Sequence, residues 1–304
     1  MKRISIGSWA YTIGPYQSNP VDWNTVTTKL AEYGFDGVDL GAFAPHPNPD
    51  AVSTIAGRKA VAAELRAKGL AFSGLAANLW DQKLANTNDH ERYVREFTKN
   101  CDFARDLGIG VIRVDTVQPP EIYAEHSEEA VMERIAAAWK HCAHVAAERG
   151  LTMSWEFEPG FVLNKPSEIA LLLERIDAPN FGVLYDTCHG QMVSVVGARQ
   201  FHKKETLPGG QADLIKMLAG RINHVHLIDS DNTCHKDAAG RDETSSHVPF
   251  GDGVIDFDRI LPLLSEHARV ADDWWTIDLC FWPDAWPVTQ RCKAALDELN
   301  RKYG

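Results

Sequence analysis

Eight short apolar or β-branched runs recur along the chain, each followed by a longer helix-forming stretch. They are RISIGSWAY (3–11), FDGVDLG (35–41), LAFSGLAANLW (70–80), IGVIRVDT (109–116), LTMSWEFE (151–158), NFGVLYDT (180–187), INHVHLID (222–229) and WWTIDLCF (274–281). Segments such as DWNTVTTKLAEYG (22–34) and AVMERIAAAWKHCAHVAAERG (130–150) lie between them and end on glycine, as helices often do. The spacing, mostly about 30–45 residues, is what a strand–helix unit with its loops requires. Eight such units predict an α/β fold, a single parallel (β/α)8 barrel over residues 1–304, rather than a doubly wound open sheet. An open sheet would show a glycine-rich phosphate turn after an early strand, and SWAYTIGPYQ is no such turn.

The most polar stretches, 199–210 and 229–253, follow the sixth and seventh runs. Both read as long βα loops, the segments from which a barrel builds its active site at the C-terminal face. A net charge of -11 argues against a surface made for nucleic acid or anionic lipid. The N-terminus carries no signal-peptide h-region, and no apolar run approaches a membrane span. Six cysteines without a C-x-x-C pair suggest neither a zinc knuckle nor a disulfide framework, which points to a reducing cytoplasm.

In a barrel the last residues of strands five to eight converge on one opening. Those ends read Glu156 and Glu158, Asp186 with His189, His224 and His226, and Asp278. Carboxylates with imidazole are a donor set for a divalent ion. Four consecutive strands ending this way outweigh the bland reading of each acid as a solvated strand end. His224 and His226 share a face, but His226 lies nearer the strand's C-terminal end and is the better ligand. The same parity leaves Glu156 and Glu158 unseparated, although Pro159 suggests that Glu158 is already leaving the strand.

The stretches GLTMSWEFEPG, VLYDTCH, RINHVHLID and PFGDGVIDFDRIL, in this order, resemble those of the xylose isomerase-like TIM barrels. That family holds sugar and sugar-phosphate isomerases and epimerases, with apurinic endonuclease relatives. The resemblance spans nearly the whole chain. It places the family's strand-five glutamate on Glu156, its D-x-x-H on Asp186 and His189, and its metal histidine on His226. It implies one divalent cation, Mn2+ in preference to Mg2+, Co2+ or Zn2+, held by Glu156, Asp186, His226 and Asp278. Strand eight usually ends on glutamate in this family. Asp278 is shorter by one methylene, so a second base on the opposite face has less reach.

The chemistry implied is removal of a proton beside a sugar carbonyl, with Glu156, Glu158 and His189 as catalytic candidates. Isomerisation or epimerisation is the first expectation. Loss of a β-substituent from a 3-oxo-glycoside is the second, in the manner of C-glycoside deglycosidases, which look similar around strand eight. Trp9, His189, His247, Trp282 and Trp286 are expected to contact a sugar or glycoside, and the cluster CFWPDAW favours a bulky aglycone. Each aromatic read alone is as easily a core or loop anchor. His141 and His144 read as helix residues that pack or are solvated, and Cys188 as packing. Nucleic-acid cleavage would need histidines where Asn78 and Asp115 end strands three and four, and an aspartate where Ser245 stands. A non-catalytic sugar-binding barrel is the remaining alternative. A homo-oligomer or a partner subunit is left open.

Overall fold

A computed structural model describes residues 1–269 and 273–304. The strands are β1 (Arg3–Ile6), β2 (Gly37–Gly41), β3 (Ala71–Ala76), β4 (Val111–Val114), β5 (Thr152–Glu156), β6 (Phe181–Asp186), β7 (Ile222–Leu227), β8 (Asp229–Lys236), β9 (Asp242–Val248) and β10 (Trp274–Ile277). The helices are α1 (Trp23–Glu32), α2 (Ile55–Ala67), α3 (Glu91–Leu107), α4 (Glu128–Ala147), α5 (Pro166–Ile176), α6 (Thr187–Gln191), α7 (Gln211–Met217), α8 (Phe257–His267) and α9 (Ala285–Tyr303). Eight of the strands pair in parallel in the order β1-β10-β7-β6-β5-β4-β3-β2. A parallel bridge from Gly7 to Asp39 brings the two ends together. The fold is a (β/α)8 barrel, nearly closed, with β8 and β9 forming a separate antiparallel hairpin.

Helix ends follow local chemistry. Ser127 accepts the Ala130 N–H at the start of α4, and Asp256 that of Arg259 at the start of α8. Gly108, at φ 79°, closes α3 in the left-handed region that glycine adopts freely. The apolar face of α4 buries Val131, Ile135, Trp139 and Cys142, and Trp139 meets Trp155 of β5 at 5.6 Å. Burying one such side chain contributes about 1.5–3 kcal/mol. This helix-on-barrel shell is the main core.

The barrel's interior is polar by layers. Ser5 hydrogen-bonds Ser73 and Thr276, both at 2.8 Å. His224 joins Asp39 at 2.7 Å. Inward parity along β7 then delivers His226 two residues on, paired in register with Asp186.

The strands are shorter than the runs in the sequence suggest. The first stops at Ile6 and turns into a 3-10 segment, Ser8–Tyr11, closed by Thr12 N–H on Trp9 O. The third, fourth and eighth end at Ala76, Val114 and Ile277. Apolar side chains past those points anchor the mouth loops rather than the barrel wall. The stretch 229–253 is largely the β8–β9 hairpin instead of an irregular loop. Its alternate residues Ser245 and His247 are buried over the barrel mouth.

Candidate metal centre and mouth cavity

Glu156 and Asp186 are the last residues of β5 and β6, His226 is next to last in β7, and Asp278 directly follows β10. All four are buried, and their donor atoms lie within 4.8 Å of one another. His226 Nδ1 sits 3.1 Å from Glu156 Oε1 and 3.3 Å from Asp278 Oδ2. Asp186 accepts the His189 backbone N–H on Oδ1, as the N-cap of α6. Its other oxygen, Oδ2, is buried without a hydrogen bond from the described residues. A buried carboxylate oxygen left bare among two further carboxylates is costly unless a cation answers it. Oxygen donors with one imidazole suit a divalent ion, so the residues present fit one.

The electrostatics follow from burial and crowding. Burial, then the Asp278 and Glu156 charges, push the Asp186 carboxyl well above the usual range. Burial alone would also raise Glu156, but the Arg113 guanidinium and His226 more than offset it. Asp278 likewise resists burial because His247, His226 and Trp9 surround it. Burial disfavours a charged His226, yet hydrogen bonds to Asp278, Asp39 and Glu156 raise it.

Glu158 lies past the end of β5, where Pro159 placed it. Burial pushes its carboxyl up to about 8, the Thr244 hydroxyl opposing and the Glu156 charge reinforcing. Its Oε2 stands 3.9 Å from His189 Nε2. On the ring's other side, Nδ1 meets Ser245 Oγ at 2.8 Å. Burial, then neighbouring His247, lower His189 to about 3.

The expected sugar contacts divide. Trp9 donates its indole N–H to Asp278 Oδ1 at 2.6 Å, so it holds a cluster acid in place. His247 is buried with neither ring nitrogen hydrogen-bonded, 3.8 Å from Asp186 and 3.7 Å from Asp278. Trp282 donates to the His247 carbonyl at 2.7 Å. Trp286 stacks on Tyr11 at 4.1 Å with Lys29 over its ring, and it lines neither mouth cavity described below. It is the second residue of α9 and, partly buried, packs against the core. Cys188 does pack, with its Sγ on the Ser246 carbonyl. Asn78 is exposed and Asp115 accepts the Trp80 indole N–H, so strands three and four add no metal donor.

Two site residues escaped the sequence reading. Asp39 bridges His224 and His226, at 2.7 and 3.5 Å, and orients both rings. Arg113 pairs with Glu156 Oε2 and forms part of the floor of a cavity of about 680 Å3, beside Glu158. Each is a charge in the middle of an otherwise apolar strand, FDGVDLG or VIRVDT, where burial on both faces demands a partner.

The profile of one family, described as the xylose isomerase-like TIM barrel, matches residues 28–295. The chain belongs to that family. An inosose dehydratase of Bacillus cereus (strain AH820) is 26% identical over 262 residues, covering 78% of this chain and 76% of that protein. An inosose dehydratase of Bacillus velezensis is 22% identical over 262 residues, covering 80% and 78%. Among solved structures, the IOLI protein with a bound zinc atom shares 15% identity at a TM-score of 0.73, covering 100% of this chain and 99% of its own. A D-tagatose 3-epimerase-like protein shares 18% at 0.71, covering 100% of both chains. These two likenesses show the fold.

Proposed function

We propose that the protein is a divalent-metal-dependent lyase that removes a proton beside the carbonyl of an oxo-sugar or oxo-glycoside and expels the β-substituent. The observation that carries this reading is one-sided. Glu158 and His189 face each other across 3.9 Å beside the carboxylate cluster, while Asp278, the strand-eight counterpart of a second base, is committed to Trp9 and His226. Epimerisation needs acid–base groups on both faces; elimination is served by one face. Epimerisation is therefore disfavoured, while isomerisation, which one base also serves and which stood first on sequence grounds, ranks second on the names of the relatives. The dehydratase names of the 26% and 22% identical relatives agree with a β-elimination.

Glu156, Asp186, His226 and Asp278 would hold the ion, with Mn2+ expected. When bound, it would stabilise negative charge developing on the carbonyl oxygen, by several kcal/mol. His189 takes the proton at Nε2. The tautomer that donates Nδ1–H to Ser245 Oγ leaves that lone pair free. A positioned base contributes roughly 10²–10⁴-fold when its pKa lies near the working pH; burial keeps the His189 ring unprotonated at the cost of basicity. Glu158 carries the proton that leaves with the departing oxygen, its carboxyl oriented by the Thr244 hydroxyl. Arg113 grips Glu156 Oε2, leaving Oε1 turned to His226.

The test is proton NMR of a panel of inososes and 3-oxo-glycosides with Mn2+-loaded protein in D2O. An unsaturated ketone product that disappears with Glu158→Gln and His189→Asn supports the reading. Isomerised sugar without elimination would move the assignment to the second reading. No product and no deuterium incorporation across the panel would remove the enzymatic reading.

A further inference from the structure

The hairpin strand β9 is bulged where it meets Glu158. Cys234 opposes Ser245 and Lys236 opposes Asp242, so Glu243 and Thr244 together stand opposite His235 alone. A bulge of this kind interrupts the ladder and re-aims a side chain. Here the Thr244 hydroxyl is turned onto Glu158 Oε2. Glu243 stands in the wall between the inner mouth cavity, about 680 Å3, and an outer one of about 750 Å3 that opens toward Gly14 and Phe43.

Arg199, from the segment after α6, grips that bulge. Its Nη1 donates to the Glu243 carbonyl at 2.6 Å and to the Gly160 carbonyl at 3.3 Å. Its Nη2 donates to both Glu121 oxygens, at 2.8 and 3.0 Å. The two carbonyls flank the acid, since Gly160 follows Glu158 by two residues and Glu243 precedes Thr244. They crowd it as well: a Cβ on Gly160 would lie 3.3 Å from Glu158 Oε2 and 3.4 Å from Glu243 O. Arg199 lines the inner cavity, but both of its terminal nitrogens are committed to these partners.

The backbone under Arg199 is strained and held. Its φ of 50° lies in a region that a non-glycine residue keeps only where its surroundings enforce it. Gln200 supplies that constraint. Its Nε2 donates to the carbonyls of Asn164, Val193 and Glu205 at 3.0–3.2 Å, and its Oε1 accepts the Glu205 N–H at 2.6 Å. Asn164 Nδ2 donates to the Pro159 and Arg199 carbonyls, at 3.3 and 3.4 Å. Arg199 thus works from a fixed base. The rest of β9 has other anchors: Ser245 on His189, the Ser246 carbonyl on Cys188 and the His247 carbonyl on Trp282. Loss of the Arg199 grip is therefore felt at Glu243 and Thr244.

We infer that Arg199 is a positioning residue, which fixes the β9 bulge so that Thr244 keeps its hydroxyl on the Glu158 carboxyl. The inference rests on the lyase reading for the task of Glu158, the group that hands its proton to the departing oxygen. Arg199 touches neither the substrate nor the ion; it acts through Thr244. Glu121 in turn orients the guanidinium from the surface.

Backbone hydrogen exchange and steady-state elimination kinetics on the full-length, Mn2+-loaded protein test this role. In Arg199→Met the amides of 243–245 should exchange about tenfold faster, with those of β6 unchanged, because one charge-assisted anchor is lost locally. The substrate is the inosose or 3-oxo-glycoside that the wild type turns over fastest. Arg199→Met should lower kcat about tenfold and leave KM within about twofold, the pattern of a group that matters only in the chemical step. Arg199→Lys keeps the charge but reaches with a single nitrogen, so it should restore kcat to about a third of the wild-type value. In a Thr244→Val background the Arg199→Met change should cost less than about twofold, because the hydroxyl it positions is gone. Glu121, with a side chain 70% exposed, gives a variant that folds even where Arg199→Met does not. Glu121→Gln should move exchange and kcat in the same directions, by about threefold. Unchanged exchange at 243–245, a raised KM at constant kcat, or a full second loss in the Thr244→Val background overturns the assignment. A wild type that forms no elimination product fails the lyase reading instead, and the exchange result then decides by itself whether Arg199 holds Thr244 in place.

Discussion

Asp278 reaches the cluster despite its shorter side chain because it directly follows β10 and the Trp9 indole pins one of its oxygens. Lengthening it to glutamate would push the carboxylate into the space between His226 and Asp186. Asp278→Glu is expected to weaken metal binding and lower turnover at least tenfold, about 1.4 kcal/mol, read by metal titration and by the elimination assay. A two-base epimerase would instead keep or gain activity. Asp186→Ala should strip the ion outright, as elemental analysis after gel filtration would show. The four proposed ligands were legible because strand parity and strand ends single out acids and histidines in a barrel. Asp39 and Arg113 were not, because a charge mid-strand carries no periodic signal; only its burial and partners give it meaning. Trp286, expected at the ligand from CFWPDAW, stands one residue into α9, which begins at Ala285, and stacks on Tyr11.

The β8–β9 hairpin is the element that completes the site. It delivers Thr244 to Glu158, Ser245 to His189 and His247 to the carboxylates. Asp229 ties its base by accepting N–H bonds from Gly251, Gly253 and Ile255 at 3.0–3.2 Å. Gly253 leaves no room for a Cβ, which would lie 2.3 Å from Asp229 Oδ1. Asp229→Ala leaves those amides unpaired and should cost about 2–4 kcal/mol in urea unfolding. Activity should fall with it, and amides of 242–248 should exchange faster with solvent. Unchanged exchange there would mean that the hairpin is held by other contacts. The sequence marked this stretch as polar and as part of the mouth, but not as a strand pair. Its alternation is of small polar residues, Thr, Ser and His, facing a polar site, so no apolar period-2 pattern shows.

At the scale of the whole molecule, eight strand–helix units were readable because each strand is buried on both faces and each helix on one. Closure was legible from the count of eight units, and the structure effects it through β1 pairing with β10 and a bridge between Gly7 and Asp39. We propose that residues 1–304 unfold as one unit, a single calorimetric transition with equal calorimetric and van't Hoff enthalpies. Acid should weaken that unit through His46. Its buried ring, in edge contact with Trp23, is lowered from 6.5 to about 4 by burial, partly opposed by its bond to the Val21 carbonyl. A folded-state value below the unfolded one contributes stability that is full above pH 6.5 and lost as pH falls toward 4, about 3 kcal/mol in all. His46→Gln should flatten the stability profile across that window, measured by urea titration at each pH.

Buried carboxylates and His226, we propose, form a divalent-ion centre that serves proton removal from a sugar. The most direct measurement is metal content and turnover on the same preparations: wild type, chelator-stripped, Mn2+-restored, and Asp186→Ala. One ion per chain is expected in the wild type and in the restored protein. None is expected after stripping or in Asp186→Ala, with elimination of an oxo-glycoside rising and falling with the ion. Stoichiometric metal retained in Asp186→Ala, or full turnover in the stripped protein, would contradict it.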